Sequence, residues 1–267
     1  MDMTRAKSAL MRLYEKYKQL RFLFEELVKR DFKNKYKQTV LGMGWSLLSP
    51  ILQLLVMRIV FTQFFGRNKP FYSTYLFSGI IVFSFFTDST NGGMGSLVNN
   101  APIINKINVP KYLFLLSRNV SAIINFLLTL VVYFIFAAID GVHFSFRFVA
   151  LIYPVTCLMV LNIGMGLILS AMHVYFRDTH YLYQIFTLLL RYMSAVFYYV
   201  DSYPEQIQKV FMINPIYDVI RYVRLVVIDG VFPSWKMHAI LLFYAALALT
   251  LGGYLYKKKN HEFLYYL

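Results

Sequence analysis

The sequence predicts an all-α integral membrane protein, and two observations lead to that prediction. Hydrophobic residues make up 58% of the 267 residues, whereas charged residues make up 15%, compared with about a quarter in soluble domains. The charges are clustered, which leaves nearly uncharged runs of about twenty residues, enough for a helix to cross the ~30 Å hydrocarbon layer of a bilayer. We expect six transmembrane helices, at residues 43–65, 71–98, 113–139, 148–174, 182–200 and 237–255.

The basic residues predict how these spans are oriented. The formal net charge is +14. With the N-terminus inside, the segments predicted to be cytoplasmic hold 18 of the 27 Lys and Arg residues, as the positive-inside rule requires. Both ends of the chain are therefore expected to be cytoplasmic. Because topology and attraction to anionic membrane lipids explain the charge, we expect no nucleic-acid partner.

The first forty residues predict an amphipathic helix in the membrane interface. Apolar side chains recur every three or four positions, with charged residues on the other faces; they are Leu10, Leu13, Tyr17, Leu20, Phe24, Leu27 and Val28. This helix is either a plain anchor or a lever around the bundle. We therefore divide the chain into a cytoplasmic interface helix with its lead-in (1–42), a transmembrane domain (43–256) and a cytoplasmic tail (257–267).

The first two spans contain groups that lipid tolerates poorly. Pro50 is expected to kink or start the first helix, and Arg58 within that helix needs a partner, a cavity or an interface. The second span begins apolar and then becomes TDSTNGGMGS, which includes Asp88. A segment of this kind either packs against other helices or lines a water-accessible path.

Three connecting segments carry turn or capping signals. Pro102 and Pro110 bracket a stretch that predicts a short helix or a structured turn. VYFRDTHYLYQ, residues 174–184, predicts a turn of fixed shape, with a bare loop as the alternative. The segment from Asn214 to Gly230 has a cap, a Pro in its first turn and a terminating Gly, and it is too short and charged to span. We expect a re-entrant or interfacial helix on the outer face.

The sequence offers little for catalysis. Its aspartates from Asp88 onward lie far apart in the sequence, and it has no HExxH pair and no GxxxxGK[ST] phosphate-binding loop. The single cysteine, Cys157, lies in an apolar run and is expected to be a packing residue. We therefore predict no catalytic residue, no metal site and no cofactor bound by this chain. A proton relay would have only Arg58, Asp88 and Arg191 to use, which is weak support.

Aromatic residues, 18% of the chain, suggest a path for a substrate. The rings of Phe83, Phe86, Tyr192, Phe197, Tyr198 and Tyr199 are candidates to line it. Sugar rings stack on aromatic faces, and Tyr hydroxyls add hydrogen bonds; plain packing is the alternative. Six spans enclose little room, so a wide path would need a second copy of the chain.

Four segments, in this order and spacing, resemble the membrane subunit of the ABC-2 type exporters that serve O-antigen, capsule and teichoic acid export. They are KNKYKQTVLGMGWSLLSP, NNAPIINKINVPKYL, YFRDTHYLYQI and INPIYDVIRYVR. The resemblance runs from about Glu25 to the last residue. It implies a homodimer bound to two copies of a cytoplasmic ATPase, which would bind the ATP and Mg. It also implies a lipid-linked glycan or polyol-phosphate cargo, a bacterial inner or plasma membrane, and an external pair of re-entrant helices.

The resemblance assigns roles to the matching residues. Two cytoplasmic segments would sit in grooves of the ATPase; they contain Ala101, Pro102, Lys106, Ile107, Val109 and Pro110 in the first, and Phe176, Arg177 and Asp178 in the second. Asn214, Pro215 and Tyr217 fall on the outer re-entrant pair. One departure concerns the fifth span, where members often have Ser-Pro-Ile-Phe-Tyr and this chain has Ser194-Ala195-Val196-Phe197-Tyr198. Without that proline we expect a straighter fifth helix.

Two other functions remain open at this point. A drug or small-lipid exporter of the same ABC-2 class would have a narrow path and no dependence on glycan length. A membrane enzyme acting on lipid-linked sugars would show turnover by the isolated chain.

Overall fold

The protein is helical throughout the part of the chain that the structure, a computed structural model, describes: residues 2–35, 37, 39–61, 70–107, 109–260 and 262–266. Those residues contain no strand, which confirms the all-α class. The helices are α1 (Asp2–Lys35), α2 (Trp45–Ile59), α3 (Tyr72–Met94), α4 (Ala101–Ile104), α5 (Tyr112–Ile139), α6 (Ile152–Tyr175), α7 (Thr179–Met193), α8 (Glu205–Phe211), α9 (Pro215–Val227), α10 (Trp235–Lys259) and α11 (Phe263–Tyr266).

Three described helical segments are long and apolar enough to cross a membrane. They are Tyr112–Ile139, Phe146–Tyr175 and Trp235–Lys259, where a 3-10 turn at Phe146–Leu151 leads into α6. α2 is a shorter apolar helix, and residues 62–65 of the predicted first span lie outside the described residues. α3 and α7 lie within the predicted second and fifth spans. A helix thus occurs in every predicted span, while the count of six crossings stays a prediction.

α3 forms the centre of the bundle. Most of its side chains are buried, and it contacts α2, α5, α6 and α9. α6 and α10 pack along their length because small residues face each other. A Cβ at Gly164 would collide with the backbone of Ala248, and one at Gly252 would lie 3.0 Å from the Cβ of Leu167. This close approach fixes α10 on the core.

The C-terminal half of α1 packs on the bundle through one face. Leu27 is buried, whereas Tyr17 is exposed. The side chains of Leu10 and Leu13 lie outside those that the structure describes. α1 contacts α5, and Leu27 shares a cluster with Phe114 and Leu115 of that helix.

The prediction of a straighter fifth helix is wrong. α7 begins at Thr179 and ends at Met193, well before the expected end at Val200. The chain then turns, with Ala195 in the left-handed region at φ 48°. The following segment leads to α8 and α9, which form the pair of short helices expected after the fifth span. Side chains from α9, described below, hold this break without the proline.

Candidate coupling and translocation sites

The first predicted coupling segment, residues 101–111, has a fixed base and an exposed tip. The Asn100 amide nitrogen donates to the Ser96 carbonyl at 2.7 Å, and Ile104 is buried. Lys106 and Ile107 donate their backbone N–H groups to the Ile103 carbonyl at 3.0 and 3.1 Å, and both side chains are exposed. The segment therefore presents an apolar and a basic side chain on a short helical turn.

Ala101 and Pro102 form the start of that turn, and Val109 and Pro110 form its end. Pro102 stands in the first turn of α4, where its missing N–H leaves no intrahelical bond unmade. Val109 and Pro110 are half-buried, and the Pro110 carbonyl accepts from the backbone N–H of Leu113 at the start of α5. Both ends of the turn are therefore tied to neighbouring helices.

The second predicted coupling segment, residues 175–183, contains the tight turn at residues 176–178 that joins α6 to α7. Phe176, Arg177 and Asp178 lie between the two helices and are exposed. The Thr179 hydroxyl donates to the Phe176 carbonyl at 2.6 Å, and the Tyr183 hydroxyl donates to Thr90 Oγ1 on α3 at 2.6 Å. These bonds fix the shape of the turn, which agrees with the structured turn predicted from the sequence.

The tail after α10 contacts both coupling segments. The Lys111 ammonium donates to the Asn260 carbonyl and lies 5.6 Å from the centre of the Phe263 ring. On the other side, the Arg177 guanidinium donates to the Tyr266 carbonyl at 3.1 Å. The two segments, far apart in sequence, are thus joined through one short stretch of chain.

Glu262 and Phe263 anchor this tail. The Glu262 carboxylate accepts from Lys259 Nζ at 2.8 Å and from the Tyr175 hydroxyl at 2.8 Å. The hydrogen bond from Lys259, and then that from Tyr175, lower the pKa of the Glu262 carboxyl below its usual value. The Phe263 side chain is fully buried, with its ring centre 5.2 Å from that of Tyr256. We call residues 260–266, as far as described, the tail clamp.

A buried carboxylate ties the interface helix to the first coupling segment. Asp31 of α1 is buried and accepts from Arg30 at 2.8 Å and from the Ser117 hydroxyl of α5 at 2.8 Å. Arg118 lies 3.4 Å from the second carboxylate oxygen. Arg30 also donates to the Asn100 side chain at 2.8 Å, directly before α4. α1 is therefore joined by hydrogen bonds to α5 and to the residue directly before α4.

Arg224 of α9 holds the break after α7. Its buried guanidinium donates to the carbonyls of Ala195 at 3.0 Å, Val196 at 3.1 Å and Tyr75 at 3.2 Å, and to the Ser78 hydroxyl at 3.2 Å. It also lies 3.5 Å from the centre of the Tyr75 ring. Carbonyl groups beyond the end of a helix need hydrogen-bond donors from elsewhere in the protein. Arg224 provides donors to two such carbonyls, those of Ala195 and Val196.

The predicted outer residues occupy the start of α9. The Asn214 side chain caps the helix by accepting from the Ile216 N–H at 3.0 Å, and it donates to the Ser194 hydroxyl at 2.9 Å. Pro215 is the first residue of α9, and Tyr217 is buried. The capping prediction is confirmed, and the cap is also joined to the break after α7.

The six candidate path residues occupy different environments. Phe83 and Phe86 are each 2% exposed in the core, and the Arg191 guanidinium lies 5.1 Å from the Phe83 ring centre. Tyr192 is exposed on α7. A path lined by all six would require helices to separate.

The other three path candidates lie on the segment after α7. The Phe197 ring stacks on Phe61 at 5.7 Å, and the Tyr199 ring stacks on Tyr75 at 4.0 Å. Tyr198 lies between them, and its carbonyl accepts from the Tyr75 hydroxyl at 2.7 Å. The Phe197 and Tyr199 rings therefore pack against Phe61, just beyond α2, and against α3, whereas the Tyr198 ring lies edge-on to Tyr203 and Phe211.

Comparison with known protein families shows to which family a chain with these segments belongs. The profile of the ABC-2 type transporter family matches residues 23–228. The chain belongs to the ABC-2 type transporter family. This match includes both coupling segments, the break after α7 and α9, whereas the tail clamp lies beyond it.

Several curated relatives resemble this ABC-2 transporter over nearly its full length. An O-antigen export system permease protein RfbA of Klebsiella pneumoniae is 26% identical over 249 residues, which cover 91% of this chain and 95% of the relative. An RfbA protein of Myxococcus xanthus is 24% identical, covering 95% and 98%. The polysialic acid transport protein KpsM of Escherichia coli is 24% identical, covering 90% and 94%.

The family is one of transporters and not of catalysts. Among the described residues, no group of three or more His, Cys, Asp or Glu side chains is placed to hold a metal ion. Asp31, Arg224 and Phe263 were not singled out from the sequence. The signal for Arg224 was a charge between apolar residues in VIRYVRLVV; the other two carried no comparable mark.

Proposed function

We propose that this protein is the permease subunit of an ABC transporter that exports a lipid-linked cell-surface polysaccharide, or a teichoic acid, across the bacterial cytoplasmic membrane. The observation that carries the proposal is the end-to-end similarity to permeases named for O-antigen export and polysialic acid transport. The similarity covers at least 90% of this chain and at least 94% of each relative, so it includes the coupling segments as well as the helical core.

The coupling segments support a separate ATPase as the motor. The first segment exposes Lys106 and Ile107, the second exposes Phe176, Arg177 and Asp178, and the tail clamp joins the two. Two short turns that are held by hydrogen bonds and expose side chains are suited to bind a partner subunit whose movement displaces them. ATP and Mg would be bound by that partner, so this chain itself carries no cofactor and no intrinsic catalysis.

A second copy of the chain completes the path. α3 and its neighbours are closely packed, and Phe83 and Phe86 are buried, so one chain leaves too little room for a glycan. We infer a homodimer with two copies of the ATPase and with both chain ends in the cytoplasm. ATP binding would close the ATPases and displace the coupling segments, and the energy comes from the different ATP affinity of the two states.

Reconstitution into proteoliposomes with the partner ATPase tests the proposal. We expect ATP-dependent translocation of a polyprenyl-linked oligosaccharide, and no ATP hydrolysis by this chain alone. Hydrolysis without the partner would contradict it. Transport of drugs or short lipids, without transport of the glycolipid, would instead favour a small-molecule exporter.

The charge reversal Asp178→Lys tests the coupling assignment in the same assay. We expect coupled transport to fall about tenfold in this variant, because loss of a contact worth about 1.4 kcal/mol weakens binding of the ATPase about tenfold. Glu205→Lys, a charge reversal at another exposed carboxylate, on α8, is the matched control and should transport normally. Equal transport by the two variants would refute the coupling role.

A further inference from the structure

The tail clamp places α11 at the end of the bundle that carries the coupling segments. Phe263 of α11 is fully buried in an apolar cluster. The cluster also contains Ile104 of α4, Phe114 of α5 and Val174 of α6, which lie in or beside the two coupling segments. α11 therefore packs against this end of the bundle, which is predicted to be cytoplasmic, and not along a side that faces lipid.

The side of α11 that faces away from the bundle is aromatic and exposed. Tyr265 is 89% exposed and Tyr266 is 53% exposed. The Tyr266 ring lies edge-on to the Tyr175 ring, with centres 4.8 Å apart, and the Tyr266 carbonyl accepts from Arg177 at 3.1 Å. Tyr266 thus contacts the residues on both sides of Phe176, the exposed ring of the second coupling segment.

Exposed rings at this end of the molecule point to a partner. Apolar side chains on the transmembrane helices can face lipid, whereas those on α11 and the coupling segments would face the cytoplasm. Tyrosine is enriched in protein interfaces, and a contiguous exposed apolar patch marks an interaction site. Phe263 and Glu262 hold Tyr265 in place before binding, which reduces the conformational entropy that is lost when a partner binds.

The charges beside these rings favour a partner surface that is acidic. The coupling segments expose Lys106, Arg177 and Asp178, and the end of α10 exposes Lys257 and Lys258, so four of these five charges are positive. Complementary charges at the rim of an interface raise the association rate and fix the orientation of the partner. An apolar recess bordered by carboxylates is therefore the surface that this end of the protein fits.

We propose that the tail after α10 forms a third contact with the partner ATPase, next to the two coupling segments. Tyr265 and Tyr266 enter an apolar recess of the ATPase that is bordered by acidic residues. The proposal rests on the function proposed above, and the tail lies beyond residues 23–228, so the family match does not include it. Because the tail bonds to both coupling segments, movement of the ATPase displaces the two segments together.

Binding of the purified partner ATPase to the protein in nanodiscs tests the proposal. For Tyr265→Ala we expect a dissociation constant at least ~tenfold higher, as for an aromatic residue that dominates an interface. Tyr265→Phe keeps the ring and should stay within ~threefold of the wild type. Phe146→Ala is the matched control and should bind like the wild type, because Phe146 is 86% exposed but lies on the predicted outer side. Unchanged binding in Y265A would refute the third contact.

A photo-crosslinker separates the ATPase from the membrane as the occupant of this surface. Tyrosines also occur at membrane interfaces, where they contact lipid headgroups. With p-benzoylphenylalanine in place of Tyr265, irradiation of the assembled transporter should produce an adduct with the ATPase, and in place of Phe146 it should not. Adducts with lipid alone at position 265 would mean that the tail anchors the protein in the membrane, and the proposal would be wrong.

Two further measurements distinguish this contact from the fold and from the proposed function. Trypsin should cleave Y265A alone at Lys257–Lys259 at the wild-type rate, because the clamp is intact and only the exposed ring is lost. Weak ATPase binding by Asp178→Lys together with normal binding by Y265A would refute the tail contact alone. If the ATPase binds the wild type more tightly than Y265A but no glycolipid is transported, the proposed function fails and the tail contact stands.

Discussion

Arg224 illustrates how one side chain can replace a helix-breaking residue. Its guanidinium spans the Ala195 and Val196 carbonyls on one side and the backbone of α3 on the other. An arginine offers five donors in a planar fork, so a lysine at this position could not make the same set of bonds. The break after α7 therefore depends on a residue about thirty positions along the chain.

Replacement of Arg224 by Met should destabilise the protein. The Ala195 and Val196 carbonyls would lose this donor, at about 1–3 kcal/mol each, so we expect a fall of several degrees in the melting temperature of the detergent-purified protein. Arg224→Lys should recover only part of this loss. Lys236→Met, at an exposed position on α10, is the control. A melting temperature unchanged in R224M would show that the break is held by Asn214 and local bonds alone.

At the scale of single residues, a helix cap could be predicted from the sequence, whereas contacts between residues far apart in the sequence could not. Asn214 could be predicted as a cap because its partner, Ile216, is two residues away. The Asp31–Ser117 bond and the Arg224 bonds join residues far apart in sequence, and no local pattern specifies them. The burial of Phe83 and Phe86 likewise depends on which face of α3 meets its neighbours.

Among the elements, the tail clamp stands out because a short stretch of chain makes hydrogen bonds to both coupling segments. α11 has only four residues, so it has little helical stability of its own. Its position therefore depends on Phe263, which is fully buried, and on the bonds made by Glu262. Loss of the clamp should leave the two coupling segments joined only through the apolar cluster that they share.

The substitution Phe263→Ala tests this dependence against Tyr265→Ala. Phe263 is 0% exposed and Tyr265 is 89% exposed, although both are aromatic residues of α11. Removal of a buried Phe destabilises by about 3–5 kcal/mol, more than such a short helix can supply, so F263A should release the tail. We expect at least ~fivefold faster trypsin cleavage at Lys257–Lys259 in F263A and wild-type cleavage in Y265A. Equal cleavage rates in the two variants would contradict the clamp.

Most helices could be predicted from the sequence, whereas the end of α7 and the contacts of the tail after α10 could not. Hydrophobic runs specified where helices form, and the prolines of residues 99–111 predicted the short turn. α7 ends early because Arg224 and Asn214 bind the segment after it, and the absence of a proline could not reveal that. The tail was predicted only as a cytoplasmic extension because its contacts are with residues far away along the chain.

On the scale of the whole molecule, charge and hydropathy together predict the arrangement across the membrane. α10 is one of the described helices that can cross a bilayer. It begins at Trp235 and ends in Lys257, Lys258 and Lys259. Trp favours the membrane interface, and clustered lysines favour the cytoplasmic side. The tail clamp should therefore be cytoplasmic, and the loop that contains α8 and α9 should be external.

Reporter fusions test this orientation. Green fluorescent protein fused after residue 267 should fluoresce, because it folds in the cytoplasm, and alkaline phosphatase fused there should be inactive. Alkaline phosphatase fused after Tyr203, between α7 and α8, should be active, because that loop would lie outside. If both positions report the same side, α10 does not cross the membrane. If residue 267 reports the external side, the tail clamp and the coupling segments that it contacts would not share a side with the ATPase, and the proposed mechanism would fail with the topology.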